Sequence, residues 1–209
     1  MLQFDAIIIG SGQGGNPLAT KLAKAGWKTA IIEKRWAGGT CINDGCTPTK
    51  AMIASARMAH MAANSGPLGV HIDRYTVDLN AVVERKNSIV SSFREGSEKR
   101  LTGVEGLTLC YGEAAFSGPK TLTVQLRDGG QETMTAEHII INAGTSPAIP
   151  GIPGLDAVPW LTSTTLLDVT TLPGHLLVLG GSYIALEFGQ MFRRFGSEVT
   201  IIELLPRIV

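Results

Sequence analysis

Two cysteines, Cys41 and Cys46, give this chain of 209 residues its clearest capacity for chemistry. They lie in the segment GGTCINDGCTPTK, where four intervening residues let the two thiols close a small disulfide loop. Pro48, just after them, predicts the start of a helix, and a helix N-terminus favours the reactive thiolate form of a cysteine. The pair is therefore a candidate redox centre.

A structural disulfide and two inert buried thiols are the alternatives for this pair. The N-terminus enters an apolar strand almost at once, without the basic and apolar stretches of a secretory leader, so we expect a cytoplasmic protein. Structural disulfides are uncommon in the reducing cytoplasm, which favours the redox interpretation. The chain has 18 basic and 18 acidic side chains and no long apolar stretch, so we expect neither a nucleic-acid partner nor a membrane.

A dinucleotide-binding motif precedes the cysteines. Gly10, Gly12 and Gly15 of GSGQGG follow an apolar strand directly and match the pattern G-x-G-x-x-G. The first glycine allows a tight turn, the second lets a pyrophosphate approach the backbone, and the third lets the next helix pack against the strand. Glu33 ends the following strand, where its carboxylate could accept hydrogen bonds from ribose hydroxyls.

The same unit occurs a second time, because residues 180–203 align with residues 10–33 without a gap. Gly180 begins the second turn and Glu203 ends its second strand. Ser182 replaces the second glycine, and its hydroxyl could donate to a phosphate oxygen. Two dinucleotide sites are therefore predicted, the alternative being two βαβ units that serve only as scaffold.

A redox pair between two dinucleotide units implies electron transfer from a nicotinamide through a flavin to a disulfide. At this point the chain strongly resembles the class I pyridine nucleotide-disulfide oxidoreductases, whose signature GGTCxNxGCxPxK matches the cysteine segment. The family includes mercuric reductase, dihydrolipoamide dehydrogenase and glutathione reductase. The resemblance implies an α/β fold with two Rossmann-like FAD/NAD(P)-binding units, parallel sheets and a small antiparallel β-meander, the second unit being truncated. It places an FAD-binding domain at 1–150 and the start of an NAD(P)-binding domain at 151–209.

The resemblance also assigns roles to single residues. Cys46 would lie against the flavin, Cys41 would attack the substrate, and Lys50 would sit near the flavin and pair with Glu187. Tyr183 would stack over the flavin or would simply be a packed aromatic. The cofactor-binding positions that the resemblance implies are Gly10, Gly12, Gly15, Glu33, Gly39, Thr40, Lys50, Ala114, Gly144, Gly180, Ser182, Tyr183, Glu187 and Glu203.

Glu203 favours NADH over NADPH, because a carboxylate binds a free ribose 2′-hydroxyl but repels a 2′-phosphate. The expected function is that of an FAD-dependent, mercuric reductase-like oxidoreductase, since Ser182 is similar to the serine of that enzyme. A dihydrolipoamide dehydrogenase-like or other disulfide reductase is the alternative, as is a non-catalytic flavin- or nucleotide-binding fragment. The expected partner is a small disulfide, a dithiol or Hg(II). A homodimer is expected for the full-length form, because family members are roughly twice as long and their second half adds a dimer-interface domain.

Between the two βαβ units, apolar positions from 78 to 101 predict a surface helix, and three later runs predict strands of a small sheet. Cys110 lies on one of these strands and is expected to be a buried apolar side chain rather than a third redox thiol. The four histidines do not show metal-ligand spacing, so no metal site is predicted.

Overall fold

The computed structural model describes residues 1–208, which form helices and strands of an α/β protein. The chain forms two compact units. The first contains residues 1–43 and 91–146, and the second contains residues 44–90 and 147 onward. The elements in chain order are β1 (Leu2–Ile9), α1 (Gly15–Lys24), β2 (Thr29–Glu33), α2 (Gly39–Asn43), α3 (Cys46–Ala63), α4 (Leu79–Thr102), β3 (Leu107–Gly118), β4 (Thr121–Leu126), β5 (Gln131–Ile141), β6 (His175–Leu179), α5 (Tyr183–Phe195) and β7 (Glu198–Ile202).

The first unit is built on one five-stranded sheet. β1 pairs in parallel with β2 and with β5, and β2 pairs in parallel with the first half of β3. The second half of β3 pairs antiparallel with β4, which in turn pairs antiparallel with β5. Because β3 and β5 each change partner along their length, the pairing returns to β1 and the sheet closes into a barrel. The parallel sheet and the antiparallel meander of the prediction are thus parts of one continuous structure.

Two apolar clusters cover the two faces of this sheet. Ile7 and Ile8 are both fully buried and belong to different clusters, because successive side chains of a strand point to opposite faces. One cluster includes Cys110, which is 8% exposed, so its predicted burial is confirmed. The other includes Ala19 of α1 and Leu101 of α4, which hold these helices on the sheet. Burial of each large apolar side chain contributes about 1.5–3 kcal/mol to folding.

The second unit contains a parallel pair of strands, β6 and β7, with α5 as their connection. Phe188 and Phe192 of α5 are buried in its core, together with Met52 of α3 and Leu167. Along β6 and β7 exposed and half-buried residues alternate, and the half-buried Leu176 and Val199 pack against this core. The predicted division at 150/151 concerns which cofactor each domain binds, and it remains a prediction.

Helix α4 lies where the surface helix was predicted, and one of its faces is buried. The buried positions are three, four or seven residues apart, which is the spacing of one helix face. Two of them are polar, and this explains why apolar periodicity alone described the helix incompletely. The buried residues of this face are Leu79, Val83, Lys86, Val90, Ser97 and Leu101.

Helix α3 begins at Cys46, slightly before the predicted start around Pro48. A proline is tolerated there, because the first N–H groups of a helix have no intrahelical acceptor. None of the helices within residues 1–208 combines the length and apolar character needed to cross a membrane.

Candidate functional site

The first dinucleotide turn is shaped by glycines. Gly10 has a φ of +102°, and a Cβ at this position would lie 2.2 Å from the carbonyl oxygen of Asn142. A Cβ on Gly15, the first residue of α1, would lie 2.2 Å from the carbonyl oxygen of Gly10. Only glycine fits either place, so the turn exposes backbone N–H groups at the start of a helix. Such a surface fits the pyrophosphate of a dinucleotide.

Asn142 is hydrogen-bonded to this turn, and the sequence patterns did not identify it as a residue of the site. Its Nδ2 donates to the carbonyl oxygen of Gly10 at 3.0 Å, and its backbone N–H donates to Ile9 at 2.8 Å. Cβ atoms added to Gly12 and Gly14 would lie 3.3 and 3.0 Å from its side chain. Its place just after a parallel strand was the available signal, because ligands of α/β proteins bind at that edge of the sheet.

Glu33 is held in a single orientation at the end of β2. Its side chain is buried, and Oε2 accepts hydrogen bonds from the backbone N–H of Ser11 at 3.0 Å and from Ser11 Oγ at 2.6 Å. Its Oε1 accepts from the backbone N–H of Arg35 at 2.8 Å. A carboxylate has about four lone-pair sites and these bonds use three of them, so acceptor capacity remains for a ribose hydroxyl.

The cysteine segment of the first unit, residues 38–43, adjoins this turn. Gly38 and Gly39 have φ values of +100° and +64°, and the half-buried Cys41 follows them within α2. The side-chain Nδ2 of Asn43 donates to the carbonyl oxygens of Ala37 at 3.1 Å and Gly39 at 2.9 Å. The loop and the short helix are thus joined to each other. Thr40 is exposed at the same helix.

Arg94 of α4 supports the segment from outside, another contact that sequence patterns did not reveal. Its Nε donates to Asn43 Oδ1 at 2.8 Å, and its guanidinium lies 4.3 Å from the ring centroid of Trp36. Arg127 lies 5.4 Å from the same ring and 3.9 Å from the ring centroid of Tyr111. Each cation–π contact contributes about 0.5–1 kcal/mol at exposed sites. The loop after Glu33 is therefore held between two arginines.

The packing around Tyr111 can be tested through the pH dependence of the protein's stability. Burial, followed by the charge and the hydrogen bond of Glu98, raises the pKa of Tyr111 to about 12, while Arg127 opposes the shift. The neutral phenol therefore contributes stability below its unfolded pKa of about 10, and this contribution is lost as the pH rises toward 12. We expect Tyr111→Phe to lose less stability than the wild type between pH 9 and pH 11. Urea unfolding followed by circular dichroism measures this, and an unchanged pH dependence would contradict it. Tyr75→Phe, at an exposed tyrosine, is the control.

The second unit repeats the turn and the acid of the first. Gly180 has a φ of +95°. Oε2 of Glu203 accepts from the backbone N–H of Gly181 at 2.5 Å, and Oε1 accepts from that of Leu205 at 2.8 Å. These N–H groups, Leu205 first, lower the pKa of Glu203. The strand registers also correspond: Ala6 pairs with Thr29 and Ile9 with Ile32 in one unit, Leu176 with Val199 and Leu179 with Ile202 in the other. The gap-free alignment of 180–203 with 10–33 therefore reflects the same strand register and the same backbone hydrogen bonds to the acid.

Several other predicted residues lie in the second unit. Ser182 is the exposed N-cap residue of α5, and Tyr183, the first residue of that helix, is 66% exposed and is not packed in a core. Lys50 Nζ donates to Glu187 Oε1 at 2.5 Å, which joins α3 to α5. Cys46 is an exposed thiol one helical turn before Lys50. The structure therefore brings Lys50 and Glu187 together. It leaves the side chains of Ser182, Tyr183 and Cys46 accessible.

Two cofactor positions remain, and both belong to the first unit. Ala114 is half-buried in β3, where it pairs with Val124 of β4. Gly144 is exposed, with a φ of +73°. The unit boundary falls between residues 43 and 44, so Cys41 belongs to the first unit and Cys46 to the second.

A repeated glycine turn with a terminal acid, and a cysteine motif next to the first turn, define a class of nucleotide-dependent redox proteins. Comparison with known families agrees with this class. The family model described as pyridine nucleotide-disulphide oxidoreductase matches residues 4–209, so the chain belongs to this family of FAD-dependent enzymes that use NAD(P)H. The predicted family and the predicted α/β fold class are both confirmed.

Individual relatives carry different names. The mercuric reductase of Streptomyces lividans is 39% identical over 95% of this chain and 42% of its own length. The dihydrolipoyl dehydrogenase of Chlamydia muridarum is 37% identical over 99% of this chain and 44% of its own length. A solved Cu(II) complex of the HOCl-induced flavoprotein disulfide reductase RclA from Escherichia coli superimposes with a TM-score of 0.87 and 37% identity, over 100% of this chain and 44% of that one. The chain thus spans less than half the length of these relatives.

Proposed function

We propose that this chain forms the part of an FAD-dependent oxidoreductase that carries electrons from NAD(P)H, through FAD and the Cys41–Cys46 disulfide, to a small substrate. The observation that carries the proposal is the duplicated turn and acid, with Glu33 bonded to Ser11 in one unit and Glu203 to Gly181 in the other. Two dinucleotide sites on one chain are what transfer between two nucleotide cofactors requires.

Each unit then has its own role in electron transfer. In the first, the backbone of the Gly10 turn receives the pyrophosphate of FAD, and Glu33 receives the adenosine ribose. When bound, FAD supplies a carrier that accepts a hydride from a nicotinamide and reduces a disulfide. In the second, Lys50 provides a positive charge whose counter-charge is Glu187, 2.5 Å away, and this ion pair fixes the position of the charge. Cys46 is the thiol next to the flavin and Cys41 the thiol that attacks substrate.

The proposed substrate is Hg(II), a small disulfide or a dithiol. Ser182 and the 39% identity to a mercuric reductase favour Hg(II). A dihydrolipoyl dehydrogenase-like activity is the second candidate, favoured by Glu203 and by the 37% identity to such an enzyme. We further propose a cytoplasmic location and a homodimer for the full-length form. The remaining candidate, a flavin- or nucleotide-binding fragment without turnover, is decided by the following titration.

The test is the visible absorption spectrum of the purified chain during anaerobic titration with NADH. A flavin spectrum that gains a long-wavelength charge-transfer band on two-electron reduction is the expected result, because a thiolate beside the flavin produces this band. A colourless protein would contradict FAD binding. A bound flavin that NADH does not reduce would favour the non-catalytic candidate.

The proposed preference for NADH has a separate test. Glu203→Ala removes the carboxylate that would bind the ribose 2′-hydroxyl and repel a 2′-phosphate, so we expect NADH affinity to fall about tenfold while NADPH affinity falls less. Titration of both nucleotides, followed by protein fluorescence, measures the ratio. Glu198→Ala, which removes an exposed carboxylate at the start of the strand before Glu203, is the control. Equal losses for both nucleotides would show that Glu203 does not distinguish them.

A further inference from the structure

The hydroxyl of Ser11 joins two parts of the first unit that the sequence motifs treat as separate. Ser11 is fully buried. Its Oγ donates to Glu33 Oε2 at 2.6 Å and accepts the backbone N–H of Gly38 at 3.1 Å. One hydroxyl therefore serves as donor to the acid of the dinucleotide site and as acceptor for the residue at which the cysteine segment begins.

Two more contacts reinforce this junction. Nε2 of Gln13 donates to the carbonyl oxygen of Gly38 at 3.3 Å. A Cβ on Gly39 would lie 2.5 Å from the Cα of Gly12, so the two backbones touch where the cysteine segment passes the dinucleotide turn. The turn and the segment thus share a buried, hydrogen-bonded boundary.

The internal repeat provides a natural comparison. Gly181 occupies the place of Ser11 in the second unit and retains the backbone hydrogen bond to the acid, Glu203. It has no hydroxyl, and a Cβ there would lie 2.6 Å from Cγ2 of Ile208. The extra hydroxyl is therefore not needed to orient the acid of such a turn. It occurs in the unit whose turn is followed by a cysteine segment.

We propose that Ser11 is a positioning residue that couples the order of the first dinucleotide turn, the proposed FAD site, to the order of the cysteine segment, residues 38–43. The proposal rests on the proposed FAD site. Without the hydroxyl, the buried N–H of Gly38 loses its acceptor, and such a loss is costly because no water replaces it. The segment that carries Cys41 then opens more often, and FAD must order it on binding.

The experiment compares Ser11→Ala with wild type in the full chain, with and without added FAD. Hydrogen exchange of peptides covering residues 36–43, measured by mass spectrometry, reports the link directly. We expect protection of this region to fall at least about tenfold and the FAD dissociation constant to rise about tenfold. Exchange of residues 176–202, in the second unit, should stay unchanged and shows that the variant is folded.

Ser97→Ala is the matched control, because Ser97 is an equally buried serine of the same unit whose Oγ accepts from Asn16 Nδ2 instead. Ser11→Gly is the second variant should the alanine not fold, since Gly181 shows that this backbone accommodates glycine. Unchanged exchange at residues 36–43, or an equal loss in Ser97→Ala, would overturn the proposal. Lost protection with unchanged FAD affinity would overturn it as well.

The two proposals fail in different ways. A wild-type chain that binds no FAD refutes the proposed function, while exchange at residues 36–43 still shows whether Ser11 holds the segment. A chain that binds FAD equally well with and without the hydroxyl refutes the role of Ser11 and leaves the proposed function intact.

Discussion

Cys41→Ser is expected to leave the flavin bound and to lower substrate reduction by a factor on the order of 10³ or more, because the thiol that attacks substrate is lost. The remaining thiol, Cys46, should still produce a long-wavelength charge-transfer band, now without added reductant. The measurement combines the visible spectrum with NADH-dependent reduction of Hg(II) and of a small disulfide.

Cys46→Ser completes the comparison. It should also abolish turnover, but the charge-transfer band should be absent, since the thiol beside the flavin is missing. Cys110→Ser is the control for loss of any thiol, because burial and then the charge of Glu132 raise the pKa of Cys110 and keep it protonated. Retained activity in Cys41→Ser, or a band in Cys46→Ser, would remove these thiols from their proposed roles.

Gly10→Ala should abolish FAD binding at micromolar concentrations. The new Cβ would lie 2.2 Å from the backbone oxygen of Asn142, and the residue has a φ of +102°. Strain and overpacking together cost about 2–5 kcal/mol, which corresponds to binding that is weaker by about 30-fold to several thousand-fold. Flavin content after purification and the FAD dissociation constant measure the effect.

Gly26→Ala separates the two causes of this loss. Gly26 also has a positive φ, +89°, but a Cβ there meets nothing within 4 Å. We therefore expect a stability loss of about 1–2 kcal/mol with FAD affinity retained. Equal FAD affinities in the two variants would show that the close contact between Gly10 and Asn142 does not shape the FAD-binding turn.

Local patterns predicted much of this structure. The order of strand, glycine turn, helix and acid at Gly10 to Glu33 depends on neighbouring residues and on the steric freedom of glycine, so it could be recognised without a fold. The recurrence of that order at Gly180 to Glu203 predicted a second copy, and the structure shows the same backbone hydrogen bonds to its acid.

Long-range contacts were not predictable in the same way. Asn142 lies 132 residues from the glycine whose carbonyl it binds, and Arg94 lies 51 residues from Asn43. Arg94 belongs to no recognisable local pattern, and the place of Asn142 just after a strand does not show which residue it binds. The buried Lys86 of α4 shows the same limit, because its Nζ is bonded to Asp168, 2.7 Å away, at a place where periodicity expects an apolar side chain. Such pairs depend on which elements meet, and spacing along the chain does not encode that.

The closed ring of strands bears on the order of folding during synthesis. β1 takes its register partly from β5, with Leu2 opposite Met134 and Ile9 opposite Ile141. During synthesis, β1 must therefore wait for more than a hundred later residues before its second neighbour exists. Contacts between such distant segments form slowly, because a long loop must close first. A nascent chain interrupted before β5 would expose one side of β1, and an unpaired strand edge of this kind promotes aggregation.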